Sequence, residues 1–338
     1  MKTVRFFLYF ACLFLFCRPA AAGQTVARIL KEGRVRCGTV TFPKAYVWQG
    51  KDGDFAGMDA EICRAVASAV LGRPEAVTIV PVNNDDGFAK LVSGEADILM
   101  GGVPWSIESE TLPDVLFPAV THYSALGFLA HKDAEATSMK DYAGKKVCIN
   151  TSTFLISALE TYSKRYDLGL RVLKMPNLSR AKEFFYMKRC DLLFDKAEIL
   201  KSDYFAKPPS GVDTDVLPEV VHTYPTGPFV SAKDREFYEI VRWTVYALIA
   251  AERKGINAQN VEDFINSDDE EIQKLVGDNT AIANKLGIPP NFPGRVIGQI
   301  GNYADVYRRS FGEKAAVSLP RTVNKLVKDG GMIDGPVF

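Results

Sequence analysis

The sequence is poor in the residues that most often bind metals or carry acid–base chemistry. It has three histidines, His122, His131 and His222, which are too scattered to share a metal ion. No C-x-x-C pair occurs, residues 294–301 lack the glycine intervals of a dinucleotide-binding loop, and no phosphate-binding loop is present. We therefore expect neither a metal centre nor a cofactor.

An excess of positive charge is also lacking. The 338 residues carry 41 lysines and arginines against 41 aspartates and glutamates, with no long basic block. Proteins that bind nucleic acids depend on clustered positive charge to neutralise phosphates. We therefore expect no nucleic-acid partner.

Long apolar runs are confined to the N-terminus. Lys2 and Arg5 precede the apolar residues 6–17, a stretch too short to span a membrane, and an Ala-Ala-Ala sequence ends at residue 22. This order is typical of a secretory signal with an A-x-A cleavage site. We predict that residues 1–22 are a signal peptide.

The alternative is a lipoprotein anchored at Cys17, but Leu-Phe-Cys lacks the small residue usual before such a cysteine. Cleavage after residue 22 would leave 38 basic and 41 acidic residues, a formal charge of −3. The mature chain has no second long apolar stretch. We expect it to be periplasmic and to lack a membrane span.

Four cysteines would remain after cleavage: Cys37 and Cys63 in the first half, Cys148 and Cys190 in the second. In an exported protein, an even number of cysteines favours disulfides over catalytic or metal-binding thiols. Pairing within each half would then give one disulfide per half. The alternative is four small buried thiols.

Strand and helix patterns alternate in two sets, which predicts an α/β protein. In the first set we predict strands at 34–40, 77–82 and 97–100, with helices at 26–33, between Gly57 and Gly72, and at 86–93. In the second set we predict strands at 146–150, 170–175 and 190–194, with helices at 154–166 and 178–187. Segments 122–131 and 218–224 would connect the sets, so that two similar lobes enclose a cleft.

The last third of the chain is predicted to be helical. The sequence predicts a helix at 236–254 and another beginning at 260–265. Ser267 is the predicted N-cap of the next helix, with residues 268–271 in its first turn. We assign 23–125 and 228–338 to the first lobe, with these helices, and 126–227 to the second.

A polar loop follows the predicted strand at 97–100 and is the candidate binding site. Gly101 and Gly102 allow the backbone to approach a ligand closely. Loops at the carboxyl ends of such strands bind the ligands of open α/β sheets. The candidates from this loop are Gly101, Gly102, Val103, Ser106 and Ser109.

The chain resembles the periplasmic solute-binding proteins of ABC importers for polar amino acids, most closely the general L-amino-acid-binding group. The resemblance implies a two-lobed, type II periplasmic-binding fold with two parallel-type sheets, and a monomer that binds a small solute and delivers it to an inner-membrane ABC permease. The matching segments are Cys37-Gly38, residues 57–63, residues 65–70, residues 94–99 with Trp105, residues 189–191, residues 243–248, Gly255-Ile256, Asn260-Val261 and residues 301–303.

The resemblance also implies that this chain has lost two charged ligand contacts. The family's carboxylate-binding arginine falls at Ser109, and an arginine of the general amino-acid group falls at Gly101. The aspartate that binds the ammonium falls at Lys196, with Asp195 one residue early. Loss of one partner of a buried charge pair costs about 3 to 5 kcal/mol, which weakens binding by roughly a hundred-fold to a few thousand-fold.

Other positions keep a possible role in binding. Tyr46 falls where the family places an aromatic ring over the ligand, although it could equally pack within its loop. Ser152 and Thr153 open a predicted helix whose free N–H groups could bind an anion, or Thr153 could be a plain cap. Lys196 is either a new cation for a carboxylate or phosphate, or a solvent-facing lysine.

We infer a binding protein for a small polar solute, amino-acid-like or a carboxylate, that is not held as a standard zwitterion. The alternative is a non-transport accessory or sensory protein that keeps the fold but has a degenerate cleft. An enzyme is disfavoured, because Glu108, Asp195 and Glu198 lie in no recognisable catalytic motif.

Overall fold

The computed structural model describes residues 23–50, 53–83, 86–132, 136, 138–151 and 153–338. The predicted signal peptide and Ser152 lie outside these residues. The α/β fold is confirmed, with two main sheets flanked by helices.

The strands are short and most of their residues are buried or partly buried. In chain order they are β1 Val35–Thr39, β2 Trp48–Gln49, β3 Phe55–Ala56, β4 Val77–Pro81, β5 Ile98–Leu99, β6 Val115–Leu116, β7 His122–His131, β8 Lys146–Asn150, β9 Arg171–Met175, β10 Leu192–Lys196, β11 Thr214–Val216, β12 His222–Thr226 and β13 Phe229–Ser231.

Helices follow the strands and then dominate the last third of the chain. The α-helices are α1 Gln24–Glu32, α2 Met58–Leu71, α3 Gly87–Ser93, α4 Ile107–Glu110, α5 Thr153–Arg165, α6 Leu178–Tyr186, α7 Ala197–Leu200, α8 Arg235–Lys254, α9 Glu270–Val276, α10 Thr280–Leu286, α11 Phe292–Ile300 and α12 Tyr303–Phe311. Within the described ranges, 3-10 turns are found at Met139–Tyr142, Val261–Phe264, Thr322–Asn324 and Val327–Asp329.

The first sheet has the order β4-β1-β5-β13-β6, and the second has the order β11-β7-β10-β8-β9, with β12 also paired to β7. The strands β4, β1 and β5 are parallel, as are β10, β8 and β9. The strands β13 and β7 run antiparallel to their neighbours. The prediction of parallel-type sheets is therefore corrected to mixed sheets, because the strands beside the two connections enter each sheet in the opposite direction.

The chain passes between the sheets at 117–121 and again at 227–228. The first crossing is hydrogen-bonded to the end of β12, directly before the second crossing, since the Thr121 amide donates to the Thr226 carbonyl at 2.9 Å. The hydroxyl of Tyr303 in α12 donates to the Thr121 carbonyl at 2.9 Å. The C-terminal helices thus support the hinge as well as the first sheet.

The helix α2 lies at the centre of the first lobe. Nearly all of its residues are buried, because it packs against β1 on one side and against α8, α11 and α12 on others. The helices α8, α11 and α12 therefore share one hydrophobic core with α2 and β1.

In the described part of the chain, each lobe contains one disulfide, which is the arrangement that pairing within each half would give. Cys37 in β1 is bonded to Cys63 in α2. Cys148 in β8 is bonded to Cys190, just before β10.

Two predictions for the last third are wrong in detail. Residues 261–264 form a 3-10 turn rather than the start of an α-helix. The N-cap of α9 is Asp269, whose Oδ1 accepts from the amides of Glu271 and Ile272 at 2.9 and 3.2 Å. Ser267 lies two residues earlier, and its hydroxyl accepts from the Asp269 amide at 3.2 Å.

In the part of the chain described, no helix is both long enough and apolar enough to cross a bilayer.

Candidate functional site

A cleft of about 610 Å³ lies between the two sheets and takes residues from both. Volumes of a few hundred cubic ångströms are usual for small-molecule sites. The lining residues are Val40, Phe42, Pro43, Ala45, Tyr46, Val82, Asn83, Gly87, Phe88, Leu99, Met100, Gly101, Val103, Pro104, Asn150, Thr151, Phe154, Leu155, Pro176, Asn177, Leu178, Asp195, Lys196 and Ile199.

The first-lobe wall is built on two glycines that follow β5. Gly101 and Gly102 have φ angles of 92° and 67°, a region that side chains rarely adopt. A Cβ on Gly101 would lie 2.9 Å from Val40 Cγ2, and one on Gly102 would lie 2.2 Å from Tyr46 Cζ. The loop is therefore held in a conformation and at a distance that only glycine permits, and an arginine at Gly101 would not fit this backbone.

The carboxylate of Asp59 fixes the start of this loop. Its Oδ2 accepts from the Gly101 amide at 2.7 Å and from the hydroxyl of Thr39. Asp59 is buried at the start of α2, and burial raises its pKa to about 7 although both hydrogen bonds lower it. The shape of the loop thus depends on a carboxylate that lies beneath it.

Tyr46 lies under Gly102 and is 4% exposed. Its hydroxyl makes no hydrogen bond among the described residues. Burial, followed by the negative charge of Glu198, raises the pKa of this phenol well above its usual value. The ring borders the cleft but is largely covered, so it contributes to the floor of the site.

Lys196 crosses the cleft from the second lobe. Its Nζ donates to the Gly102 carbonyl at 2.9 Å and lies 5.8 Å from the centre of the Tyr46 ring. Burial lowers the pKa of this ammonium, and the charges of Asp195, Glu198 and Asp59 oppose that shift. The side chain is partly buried between the lobes rather than directed into open solvent.

Asp195 also lies at the cleft, one residue before Lys196 on β10, and is 1% exposed. Its Oδ1 accepts from the Lys196 amide at 2.8 Å, and its Oδ2 faces Asn150 Nδ2 at 3.5 Å. Burial raises its pKa to about 6. The predicted strand at 190–194 is observed as Leu192–Lys196, which brings both charged residues to the end of the strand.

The structure places Ser106 and Ser109 in a capping box at the start of α4. The Ser109 hydroxyl faces the carbonyls of Pro104 and Ser106, each at 3.0 Å. Trp105 stacks on Phe117 with ring centres 4.8 Å apart. Val103 lines the cleft, whereas neither serine is among its lining residues.

The helix α5 begins at Thr153 beside the cleft. Thr151 and Phe154, on either side of this start, both line the cleft. The N-terminus of α5 therefore lies beside the cleft, and helix N-termini favour anions.

Sequence reasoning did not find two groups at or near the cleft. Phe42 and Tyr204 meet across its mouth, with ring centres 5.0 Å apart in an edge-to-face arrangement. His122, Ser124 and Glu198 form a buried cluster near the second-lobe wall. Phe42 belongs to an aromatic-rich loop, which was a signal for the first group, but no local pattern joins residues 122 and 198.

Two lobes, two crossings between them and a cleft lined by both lobes define the protein as a two-lobed solute-binding protein. No protein-family model matches the chain. It is 31% identical over 320 residues to the general L-amino acid-binding periplasmic protein AapJ of Rhizobium johnstonii, covering 94% of this chain and 93% of AapJ. It is also 31% identical over 320 residues to the glutamate/glutamine/aspartate/asparagine-binding protein BztA of Rhodobacter capsulatus, covering 94% of each.

Among solved structures, an ABC transporter periplasmic binding protein from Brucella ovis with glutathione bound has a TM-score of 0.81 and 27% identity, covering 91% of this chain and 97% of that one. The chain therefore belongs to the periplasmic amino-acid-binding proteins of ABC transporters, a family of solute-binding proteins rather than enzymes.

Proposed function

We propose that this protein binds a small polar solute that carries a carboxylate, in the periplasm, and delivers it to an ABC permease of the inner membrane. The observation that carries the proposal is the position of Lys196, a second-lobe cation that reaches the first-lobe loop inside the cleft. A carboxylate between the lobes would contact this cation and the loop together. Binding would then favour the closed arrangement of the lobes.

The names of the relatives support an amino-acid-like solute. AapJ is named for general L-amino acids, BztA for glutamate, glutamine, aspartate and asparagine, and the Brucella ovis structure contains glutathione. A cleft of about 610 Å³ has room for a molecule of any of these sizes. We propose a solute between a single amino acid and a short peptide in size.

The lining supplies neutral hydrogen-bonding groups around the cation. Asn83, Asn150 and Asn177 border the cleft, and each amide can donate and accept. Asn177 already caps α6 by accepting from the Arg180 amide at 2.9 Å. Asn83 is engaged in the same way, since its Oδ1 accepts from the Asp86 amide at 3.1 Å. We therefore propose Asn150, which lines the cleft beside Asp195, as the amide that orients the solute.

A thermal-shift screen of residues 23–338 tests the proposal. The panel would contain amino acids, glutathione, dicarboxylates, oxo-acids, sugars and amines. A ligand at a hundred times its Kd stabilises the folded state by about 2.7 kcal/mol, which raises the melting temperature measurably. We expect stabilisation by at least one carboxylate solute and no stabilisation by sugars or simple amines.

A melting temperature that no carboxylate raises would contradict the proposal and favour the accessory function. For any variant of Lys196, Lys140→Met is a suitable control, because Lys140 is an exposed lysine in the 3-10 turn Met139–Tyr142 of the second lobe. The permease can be tested separately, by cross-linking in cells and by uptake of the labelled solute in a deletion strain.

A further inference from the structure

Lys196 is the cation among the described residues that line the cleft, and it is already held where a solute would bind. We propose that the ammonium of Lys196 fills the cation position of this cleft, so that the site selects carboxylates without a free amino group, such as oxo-acids, dicarboxylates and N-acyl amino acids. The inference rests on the proposed function and specifies the chemical class of its solute.

Lys196 Nζ donates a hydrogen bond to the Gly102 carbonyl at 2.9 Å. Gly102 cannot turn away easily, because its backbone lies against the Tyr46 ring and the preceding Gly101 amide is held by Asp59. This fixed carbonyl is an acceptor that a cation or N–H group in the cleft can use. Lys196 already uses it.

The carboxylates near Lys196 already accept hydrogen bonds from other groups of the protein. Asp195 and Asp59 are 1% and 2% exposed, and each already accepts hydrogen bonds from the protein. Glu198 is 1% exposed and is bonded to His122 and Ser124. All three lie close enough for their charges to stabilise the protonated form of Lys196.

Lys196 remains accessible to a solute in the cleft. Among the described residues that line the cleft, Asp195 and Lys196 are the charged ones, and of the two only Lys196 is more than marginally exposed. An ammonium carries three N–H donors, and one of them is directed to Gly102. Its remaining donors can bind a carboxylate, whereas a solute ammonium would face a like charge.

Matched pairs of solutes test this selectivity by calorimetry on the mature chain. The pairs are 2-oxoglutarate with L-glutamate, succinate with L-aspartate, and N-acetyl-L-glutamate with L-glutamate. We expect the member without a free amino group to bind at least about tenfold more tightly, since a second ammonium beside Lys196 would meet a like charge in a partly buried site, at a cost of at least one decade of affinity.

Variants at Lys196 then assign the preference to this residue. Lys196→Met removes the charge at similar length and should reduce the preference by about tenfold or more, while Lys196→Arg should keep most of it and Lys140→Met all of it. Circular dichroism of each variant without solute verifies that it is folded.

Equal binding of both members of every pair to the wild-type protein would overturn the inference, even if Lys196→Met failed to fold. A preference that survives in folded Lys196→Met would overturn it as well. If L-glutamate or L-aspartate bound and the partner did not, the proposed function would stand and the inference would be wrong. If neither series bound, the inference would be wrong, and the proposed function would be wrong as well only if no carboxylate of the thermal-shift panel raised the melting temperature.

Discussion

His122 Nε2 and Glu198 Oε1 lie 2.5 Å apart, and both side chains are buried where the chain enters the second sheet. The second carboxylate oxygen accepts from Ser124 at 2.7 Å. Burial alone would raise the pKa of Glu198, but these hydrogen bonds outweigh it and lower the pKa. The His122 ring also packs on Phe311 of α12, with centres 4.9 Å apart. One carboxylate therefore connects the second lobe to the hinge and, through His122, to the C-terminal helices.

Glu198→Ala should lower the free energy of unfolding by about 3 to 5 kcal/mol, because it leaves His122 and Ser124 buried without their acceptor. Glu198→Gln keeps an acceptor and should cost less. Urea unfolding of the mature chain measures both, with the exposed Glu313→Ala as a control. A loss no larger in Glu198→Ala than in the control would contradict this role for the pair.

Gly102→Ala should destabilise the protein more than Gly211→Ala. Both glycines have positive φ, 67° and 78°, so both alanines carry the backbone cost of about 1 to 2 kcal/mol. A Cβ at Gly211 meets nothing within 4 Å, whereas one at Gly102 would overlap the Tyr46 ring. The overlap adds about 1 to 3 kcal/mol, which urea unfolding detects.

A double-mutant cycle identifies the source of this extra cost. If the Tyr46 ring causes it, Gly102→Ala should cost less in a Tyr46→Ala background than in the wild type. Additive effects would show that the cost arises elsewhere in the loop.

The sequence predicted strands and helices best where the pattern is local. The bounds of β7 and β8 match the predicted segments, because each is a largely buried run that ends at a polar or turn-forming residue. β10 was placed two residues early, because its pairing with β7 carries it through Lys196, opposite Leu126. Pairing between distant segments leaves no trace in a single strand's composition.

The same reason limits what could be predicted of the site. The glycines after β5 and the change to lysine at 196 are visible in the sequence, and both proved to lie at or beside the cleft. The contact between Lys196 and Gly102 joins residues from opposite lobes, so it depends on how the lobes face each other. The capping box of Ser106 and Ser109, by contrast, is a local pattern that sequence reasoning missed.

Removing either disulfide should destabilise the mature protein. The bonded cysteines are separated by 26 and 42 residues, and closing loops of that length in the unfolded chain corresponds to about 3.5 to 4 kcal/mol each. Paired serine variants, Cys37→Ser with Cys63→Ser and Cys148→Ser with Cys190→Ser, can be compared by urea unfolding. Two or more free thiols per unfolded, unreduced chain would contradict the disulfide assignment.

The burial of Asp59 should make stability depend on pH. Its pKa of about 7 in the folded protein lies above the model-compound value of 3.8, so the folded state keeps a proton that the unfolded state has lost. The contribution of this group is therefore fully present below about pH 4 and is lost as the pH rises to about 7, at up to about 1.4 kcal/mol per unit. Asp195, with a pKa of about 6, acts in the same direction.

Asp59→Asn isolates this effect, because the amide oxygen can still accept from the Gly101 amide but cannot ionise. The free energy of unfolding of the wild type minus that of Asp59→Asn should fall steadily between pH 4.5 and 7.5 in a urea series, since titrations common to both proteins cancel. A difference that stays constant would mean that Asp59 keeps an ordinary pKa in the folded state. A difference that grows with pH would mean that its hydrogen bonds with Gly101 and Thr39 outweigh its burial and stabilise the ionised form.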